Sequence, residues 1–226
     1  MLLQPKPSLV GFRDRCSRWI VDATLTNVKM PLGEKFVPDL QSVSRAVRDD
    51  LEKPVEYEVS FIRNQQGLVI TDRRFNTASL MALYLGKDAI SVNRVDWNPN
   101  DPNLLNIRLP GGTDVRTRVT RRSQDNRAGE ERLDTSEFFE QVFDLPDRVE
   151  PKVKASQCFT KYKWRTTEEA AIDNGPEIVA TQVVSDYLTP YDGEMLMMQA
   201  KDRPVVVFTY RMTFRRPSLD PGPQQA

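Results

Sequence analysis

The sequence contains no histidine among its 226 residues. Without imidazole it has neither a Ser-His-Asp nor a Cys-His catalytic arrangement, and it lacks the side chain on which most zinc and iron sites depend. Neither charge is in excess, since 32 Lys and Arg residues balance 32 Asp and Glu residues. A neutral chain has no global field that attracts nucleic acid or anionic membranes. We therefore predict a protein that is not an enzyme, with no catalytic residues, no cofactor and no nucleic-acid partner.

Long hydrophobic runs are also missing. No stretch reaches the ~20 apolar residues that a membrane-spanning helix needs, so we predict no transmembrane segment. The opening MLLQPKPSLVGF has two prolines and no apolar core, unlike a signal or transit peptide. If the protein is exported or imported, we expect its targeting segment to lie outside this chain.

Cysteine is scarce, since Cys16 and Cys158 are the only two. They cannot form a structural zinc site by themselves. They can form one disulfide, which would close a loop of ~140 residues and stabilise the fold by about 4–5 kcal/mol at most. Alternatively both are buried thiols, because Cys packs as a small hydrophobic residue. The sequence leaves both alternatives open.

What the sequence does contain is a repeated alternation of apolar and polar residues. RWIVDATL and VEYEVSFIR place apolar residues at every second position, and TDVRTRVTRR puts Val115, Thr117 and Val119 on one side, the period of a strand with one buried face. Further strand-like segments are LVITD, AISVNRVDW, LLNIRLP, EFFEQVF, KVKASQCFTKYKW, EIVATQVVSDYL and RPVVVFTYRMTF. Strands joined by short turn signals predict an all-β fold, a single antiparallel β-barrel of about 8–10 strands.

Two segments have helical rather than strand spacing. KFVPDLQSVSRAVRDD places apolar residues at helical intervals after Asp39, a candidate N-cap, and FNTASLMALYLG ends on Gly86. We predict one or two short helices, confined to parts of 36–52 and 74–86.

The chain reads as one folded domain with two extended ends. We predict an extended N-terminal lead at 1–14, the barrel domain at 15–216, and a flexible tail at 217–226 that is rich in proline and polar residues. RRSQDNRAGEER is predicted to be a charged loop inside the domain.

The stretch DWNPND alternates Asp96, Asn98 and Asn100 like the first ligands of a calcium loop. An EF-hand needs glycine at loop position six and a bidentate glutamate at position twelve, but those positions hold Asp101 and Ile107. Asn-Pro and Asp-Pro pairs favour turns. We predict a hairpin turn and no metal site.

Glu56 and Glu58 are a second arrangement that resembles a catalytic site. They lie two residues apart on one face of a predicted strand, which would put their Cβ atoms ~7 Å apart, and glycosidase carboxylates can lie at comparable distances. Glutamates on the wet face of an amphipathic strand are common. We interpret them as surface residues.

Two groups of residues are candidates for a docking surface. Met195, Met197 and Met198 form the cluster MLMM, which can make adaptable apolar contacts or belong to a buried loop. Arg121 and Arg122 are a basic pair that can meet an acidic surface or simply be solvated at a strand end. Both alternatives stay open for each group.

Large aromatic side chains face the predicted barrel interior. Tyr162 and Trp164 are expected to point inward together with Cys158 and Thr160. One choice of register also turns six rings inward: Trp19, Tyr57, Phe61, Phe159, Phe208 and Phe214. Rings of this size can fill a small barrel, although they can also line a cavity for an aromatic ligand.

The order of several segments points to a family. These are KPVEYEVSFI, DRRFNTASLMALYLG, VDWNPNDPN, DTSEFFEQVF, ASQCFTKYKW, ATQVVSDYLTPYDGE and RPVVVFTYRMTF, spanning about 15–215. The most specific pieces are the RxFN segment with Phe75 and Asn76, the turn at 96–103, and the block at 182–192. Together they resemble an uncharacterised, lipocalin-like family of cyanobacterial and plastid proteins with a domain of unknown function.

The resemblance implies a lipocalin/calycin-like barrel and a photosynthetic setting. It implies association with the thylakoid of a chloroplast or cyanobacterium, with the lumen favoured over the stroma. An oxidising lumen would permit the disulfide between Cys16 and Cys158. The family has no established activity, so it implies no functional residues.

Two functions follow as expectations. The first is a non-catalytic accessory protein of the photosynthetic apparatus that docks on a thylakoid membrane complex, as a photosystem subunit or an assembly or stabilising factor. The alternative is a lipocalin-type carrier of a small hydrophobic ligand such as a pigment, quinone or lipid. The aromatic residues expected in the interior favour docking, because they would leave a small barrel little space.

Overall fold

The computed structural model describes residues 18–67, 69–86, 91–125 and 131–217. Within these ranges the chain forms ten strands: β1 Arg18–Lys29, β2 Pro54–Arg63, β3 Val69–Thr71, β4 Val95–Asn98, β5 Asp101–Arg108, β6 Asp114–Asp125, β7 Arg132–Asp144, β8 Lys152–Trp164, β9 Ile178–Tyr187 and β10 Val206–Arg215. They form one sheet in the order β3-β2-β1-β10-β9-β8-β7-β6-β5-β4. Every neighbouring pair is antiparallel. The predicted all-β, antiparallel fold is confirmed.

The sheet is curled into a half-barrel in which the first and last strands of the chain pair. β1 lies between β2 and β10. Its residue Val21 pairs with Phe214 on β10 and with Tyr57 on β2. One face buries a single cluster from β1, β2, β8, β9 and β10, including Trp19 and Trp164. Strands this far apart in the sheet share one cluster because that face is concave. Within the described residues, β3 and β4 are the two edges of the sheet.

Alternation along the strands decides which side chains face inward. The concave face carries Trp19, Tyr57, Phe61, Phe208 and Phe214, as predicted. Tyr162 and Trp164 share it with Cys158 and Thr160, also as predicted. Phe159 was wrongly placed, because it alternates with Cys158 and Thr160 along β8 and therefore lies on the convex face.

Two strand boundaries differ from the sequence prediction. Residues 92–94 form a 3-10 turn, so β4 begins only at Val95. The predicted charged loop RRSQDNRAGEER is partly strand, since β6 continues to Asp125 through its pairing with β7. Pairing with a long neighbour overrides the polar composition here.

Four helices lie between the described strands: α1 Leu40–Asp49, α2 Arg73–Leu85, α3 Thr167–Ile172 and α4 Glu194–Ala200. The first two confirm the predicted helices, and the Asp39 side chain accepts the Ser42 N–H at 3.1 Å as the expected N-cap of α1. The prediction that helix is confined to those regions is wrong. The helix α3 begins with a capping box between Thr166 and Glu169, and α4 packs an apolar side inward.

Helix α2 lies between β2 and the edge strand β4. The Asn76 side chain accepts the Ser60 N–H at 2.6 Å and donates to the Ser60 carbonyl at 3.2 Å, so it pairs with β2 as a neighbouring strand would. On the other side, Arg74 donates to the Trp97 carbonyl on β4 at 3.1 Å. The helix thus connects β2 and β4, two strands that do not pair with each other.

We expect Asn76→Ala to lower the free energy of unfolding by about 1–3 kcal/mol, because the Ser60 N–H loses its acceptor in a partly buried position and the Ser60 carbonyl keeps only the Asp72 N–H. Urea denaturation followed by circular dichroism measures the loss. The matched control is Ser79→Ala, which removes a single exposed acceptor of the Glu58 N–H and should cost less. Equal losses in the two variants would show that Asn76 does not hold the sheet edge.

The predicted lead at 1–14 and most of the tail at 217–226 lie outside the described residues, so both stay predictions. In the part of the chain that the structure covers, no helix combines the length and apolar character required to cross a bilayer.

Candidate functional site

An exposed apolar stripe lies where the chain passes from β9 to β10. A 3-10 turn at Pro190–Asp192 leads directly into α4. Met195 and Met198 are three residues apart in α4 and therefore lie on one side of that helix, while Tyr191 belongs to the 3-10 turn before it. The side chains of Tyr191, Met195 and Met198 are 64%, 74% and 73% exposed. We name Tyr191, Met195 and Met198 the methionine stripe.

Local contacts fix the orientation of this segment. Asp192 accepts hydrogen bonds from the N–H and hydroxyl of Thr189, both at 2.8 Å, and closes the turn. The inward side of α4 packs through Leu196, Met197 and Ala200 into the core cluster formed around Phe36, Val205 and Val206. Because the inward side is held by the core, the methionine stripe stays on the surface. Of the three predicted docking methionines, two are exposed and Met197 is a packing residue.

A cavity of about 750 Å³ adjoins the stripe. Tyr191 lines it together with Val149, whose side chain is fully exposed in the β7–β8 connection. Its polar lining includes Arg148, Glu150 and the ion pair between Lys152 and Asp39. Neither Tyr191 nor Val149 was predicted from the sequence, because no local pattern marks either residue: Tyr191 lies in a 3-10 turn before α4, and Val149 lies in a strand connection.

The ion pair at the cavity has an unusual carboxylate. Asp39 accepts hydrogen bonds from Lys152 Nζ and from the Ser42 N–H, each at 3.1 Å. Burial by itself raises the pKa of Asp39, but the hydrogen bonds from Lys152 and Ser42 outweigh it and lower the pKa from 3.8 to about 2. A pKa below the unfolded value means that the charged form stabilises the fold above pH 3.8, and that this contribution is lost as the pH falls through about 2.

We therefore expect Asp39→Asn to be destabilising at neutral pH but not in strong acid. Asparagine keeps an acceptor for the N-cap, so the variant isolates the charge. About a third of the Asp39 side chain is exposed, so the loss at neutral pH should be below ~1 kcal/mol. It should shrink towards zero as the pH falls from 3.8 to about 2. Urea unfolding at a series of pH values measures it.

The control for this experiment is the same substitution in a Lys152→Met background. Without its ammonium partner, the Asp39 carboxylate should contribute less, so the loss caused by Asp39→Asn should become smaller. A destabilisation that persists unchanged in acid would contradict the assignment to charge.

The basic pair of the sequence analysis lies elsewhere on the molecule. Arg121 and Arg122 are on β6, three strands away from β9 in the sheet. The Arg121 guanidinium lies 5.0 Å from the ring centroid of Phe138, and Arg122 forms an ion pair with Glu137 at 2.7 Å. The structure therefore does not bring the basic pair and the methionine stripe together. Whether either arginine takes part in docking stays a prediction.

The two apparent catalytic or metal arrangements are structural. Glu56 and Glu58 each form an ion pair with an arginine, Arg215 and Arg18 respectively. The DWNPND stretch is the predicted hairpin: β4 pairs with β5, and Asn98 Oδ1 accepts the Asn100 N–H at 2.9 Å. Across the described residues, no group of three or more Cys, Asp or Glu side chains is arranged to hold a metal ion.

The predicted disulfide cannot be placed, because Cys16 lies outside the described residues. Cys158 lies half-buried on the concave face, with its sulfur 3.7 Å from the Thr160 hydroxyl. Burial raises the pKa of the Cys158 thiol, and the nearby Glu137 adds to the effect, while Thr160 and Arg73 oppose it. The pairing of Cys16 with Cys158 stays a prediction.

The concave face contains a polar belt that the sequence analysis missed. Glu137 on β7 forms ion pairs with Arg73 of α2 at 2.6 Å and with Arg122 at 2.7 Å. Next to it, the buried Thr160 hydroxyl accepts from Gln182 at 3.1 Å. Glu137 lies within EFFEQVF, where polar residues occur on both faces of the strand. The sequence therefore does not indicate which face of β7 points inward, and the direction of Glu137 could not be predicted.

Three tyrosines share the concave face with this belt. Tyr57, Tyr162 and Tyr210 project from β2, β8 and β10, while Tyr84 lies in α2 and is largely exposed. Burial raises the pKa of Tyr57 to about 12, with smaller effects from Tyr84 and Cys158. Burial is also the main cause of the raised pKa values of Tyr162 and Tyr210. These hydroxyls therefore stay protonated at neutral pH.

Comparison with known proteins gives a family without an assigned function. No curated protein and no solved structure shows significant similarity to the chain. The lipocalin-like relation and the cyanobacterial or plastid setting therefore stay predictions. Residues 17–218 match the model of a family described as Domain of unknown function (DUF6816), which covers nearly all of the folded residues, and the chain belongs to that family.

Proposed function

We propose that this protein is a non-catalytic accessory protein that docks on a membrane complex of the thylakoid, as a photosystem subunit or as an assembly or stabilising factor. The observation that carries the docking function is the methionine stripe. Three large side chains, each more than three-fifths exposed, lie within eight residues of one another on a segment that packs its other residues into the core.

Exposed methionines are suited to contact with another protein. The unbranched thioether side chain adapts to irregular surfaces and packs against aromatic groups. Neighbouring Val149 extends the apolar surface across the cavity. Contiguous exposed apolar patches of this kind mark interaction sites in soluble domains.

Charged groups surround this apolar centre. Arg148, Glu150 and the Lys152–Asp39 pair line the adjoining cavity. An apolar centre with a polar rim is the usual composition of a protein–protein interface. The rim carries both signs of charge, which favours a partner surface of mixed charge over a uniformly anionic lipid surface.

The non-catalytic part of the proposal is supported by the chemistry of the chain. The sequence has no histidine, and the paired carboxylates Glu56 and Glu58 are each engaged by an arginine. The thylakoid setting, with the lumen favoured over the stroma, is supported by the resemblance in sequence alone.

Site-specific photo-crosslinking tests the docking function. A benzophenone amino acid at position 198 should form an adduct with one protein subunit when the protein is added to native photosynthetic membranes. The control places the same amino acid at position 172, because Ile172 is 86% exposed but lies in α3, between β8 and β9. Adducts from both positions, or only lipid adducts from position 198, would contradict docking through the methionine stripe.

A second candidate function is a carrier of a small hydrophobic ligand. The observation that favours it is the half-buried tyrosine group on the concave face. Organic extraction of native protein followed by mass spectrometry tests this function, since a carrier should release one compound in stoichiometric amount.

A further inference from the structure

The convex face of the sheet has an apolar centre that the core does not cover. Phe159 on β8 lies opposite Val183 on β9, and Phe138 on β7 is a diagonal neighbour of Phe159. We name Phe138, Phe159 and Val183 the convex apolar centre. All three are partly exposed, and none belongs to the three buried apolar clusters of the described residues. The helices α1, α2 and α4 pack into those clusters instead.

Four exposed cations surround the convex apolar centre: Arg121, Lys161, Lys163 and Arg211. We name them the basic rim. Lys161 and Arg211 lie in one row across β8, β9 and β10, which puts their Cβ atoms ~10 Å apart. Within residues 18–67, 69–86, 91–125 and 131–217, no carboxylate forms an ion pair with any of these four side chains.

Acidic residues are missing from much of this face. The convex side of β8, β9 and β10, all of which the structure describes, carries no aspartate or glutamate. On β7, Asp134 accepts a hydrogen bond from Arg132 at 2.9 Å, and Glu140 lies opposite Arg118 of β6. Since the whole chain has equal numbers of positive and negative groups, the basic rim is a local excess of positive charge. It favours an anionic partner.

The ring contacts favour an acidic polypeptide among the anionic partners. The Arg121 guanidinium lies 5.0 Å from the centroid of Phe138, and Lys161 Nζ lies 5.9 Å from that of Phe159. Nucleobases would need these ring faces for stacking, but the protein's own cations already cover them. A polypeptide can place carboxylates on the cations and apolar side chains against the ring edges. It can also follow the curvature of a convex face, of which a flat bilayer contacts less.

We propose that the convex apolar centre and the basic rim bind an acidic polypeptide segment of a partner protein. Carboxylates of that segment pair with Arg121, Lys161 and Arg211, and its apolar side chains contact Phe138 and Phe159. No residue of the methionine stripe belongs to this surface, so the inference goes beyond the proposed function and is independent of it.

Matched peptides test the inference with the full chain. The first is a short fluorescent peptide of glutamate residues with two phenylalanines, and the second has glutamine in place of every glutamate. Fluorescence anisotropy measures the affinity of each. We expect the acidic peptide to bind at least about tenfold tighter than the glutamine peptide. Its affinity should fall as the salt concentration rises, because the ion pairs are exposed.

Paired charge variants assign the binding to the basic rim. Lys161→Gln, Arg211→Gln should weaken binding of the acidic peptide about tenfold. The matched control is Lys53→Gln, Lys201→Gln, which removes the same charge from exposed positions outside the convex face. It should change the affinity less than about twofold.

A third variant tests the convex apolar centre. Phe159→Thr keeps a residue that favours strands and should weaken binding of the peptide with phenylalanines. It should leave unchanged the binding of a peptide in which alanine replaces them. Circular dichroism verifies the fold of each variant.

Three results would overturn the inference. The first is equal binding of the acidic and glutamine peptides, or no binding of either. The second is an equal loss in the two charge variants. The third is tighter binding of single-stranded oligouridine or of phosphatidylglycerol vesicles, which would make the face a nucleic-acid or membrane surface. Met195→Ala, Met198→Ala should leave peptide binding unchanged, so failure of docking through the methionine stripe and failure of this inference are distinguishable.

Discussion

Trp19→Ala should lower the free energy of unfolding by about 3–5 kcal/mol, the typical cost of truncating a buried tryptophan. Trp19 is 0% exposed and belongs to the cluster that joins β1, β2, β8, β9 and β10 across the concave face. The Arg216 guanidinium lies 4.1 Å from the centroid of its ring. Since domains are stable by only about 5–15 kcal/mol in total, much of the variant should unfold at low urea.

Equilibrium urea denaturation followed by far-ultraviolet circular dichroism measures this loss. Ile172→Ala is the control, because its side chain is 86% exposed and its removal should change stability by less than about 0.5 kcal/mol. A loss below about 1 kcal/mol for Trp19→Ala would mean that β1 is not anchored through this side chain.

The double variant Met195→Glu, Met198→Glu should lose binding to the partner complex without losing its fold. The two side chains are 74% and 73% exposed, so charged replacements remain solvated in the free protein. In the bound state the same carboxylates would be buried against an apolar surface, which costs several kcal/mol unless they find a partner. We expect affinity to fall by at least about a hundredfold.

Two control variants separate docking from stability. Met197→Leu changes the core side of the same helix and should leave binding intact, because Met197 packs inward. Ile172→Glu adds a charge to the exposed surface of α3, outside the methionine stripe, and this variant should also bind normally. If the double variant binds as tightly as the unchanged protein, the methionine stripe is not the interface.

The strands were predictable because the buried face dominates their composition. RWIVDATL alternates so regularly that its inward residues could be assigned from the sequence, and the structure buries the same set, from Trp19 to Leu25. The helix α1 was predictable for a similar reason, since Asp39 caps it directly before an apolar periodic segment. Local signals were sufficient wherever one face is clearly apolar.

Sequence patterns were insufficient where both faces are mixed. β7 and β8 are half-buried along nearly their whole length, so polar residues such as Glu137 occur inward and outward alike. The Arg73–Glu137 pair joins residues 64 positions apart, and no local pattern encodes such a contact. The same limit applies to Tyr57, Tyr162 and Tyr210, which pack against one core cluster only because β2, β8 and β10 belong to one curled sheet.

The short helix α4 was missed for a different reason. Its outward side carries Met195 and Met198 where an amphipathic surface helix would carry charged residues, so MLMM has no polar face. Exposed methionines beside the exposed Glu194 and Gln199 are expected of an interface that is covered in the assembled state. The failure of the sequence prediction and the proposed docking surface therefore share one cause.

The most direct test of the docking function is the migration of the native protein in mildly solubilised photosynthetic membranes. On a density gradient or native gel, the protein should migrate with a large membrane complex. The Met195→Glu, Met198→Glu variant, expressed in place of the native chain, should migrate as a free folded monomer. If the native protein instead migrates only as a small free species that carries a stoichiometric ligand, docking is wrong and the carrier function replaces it.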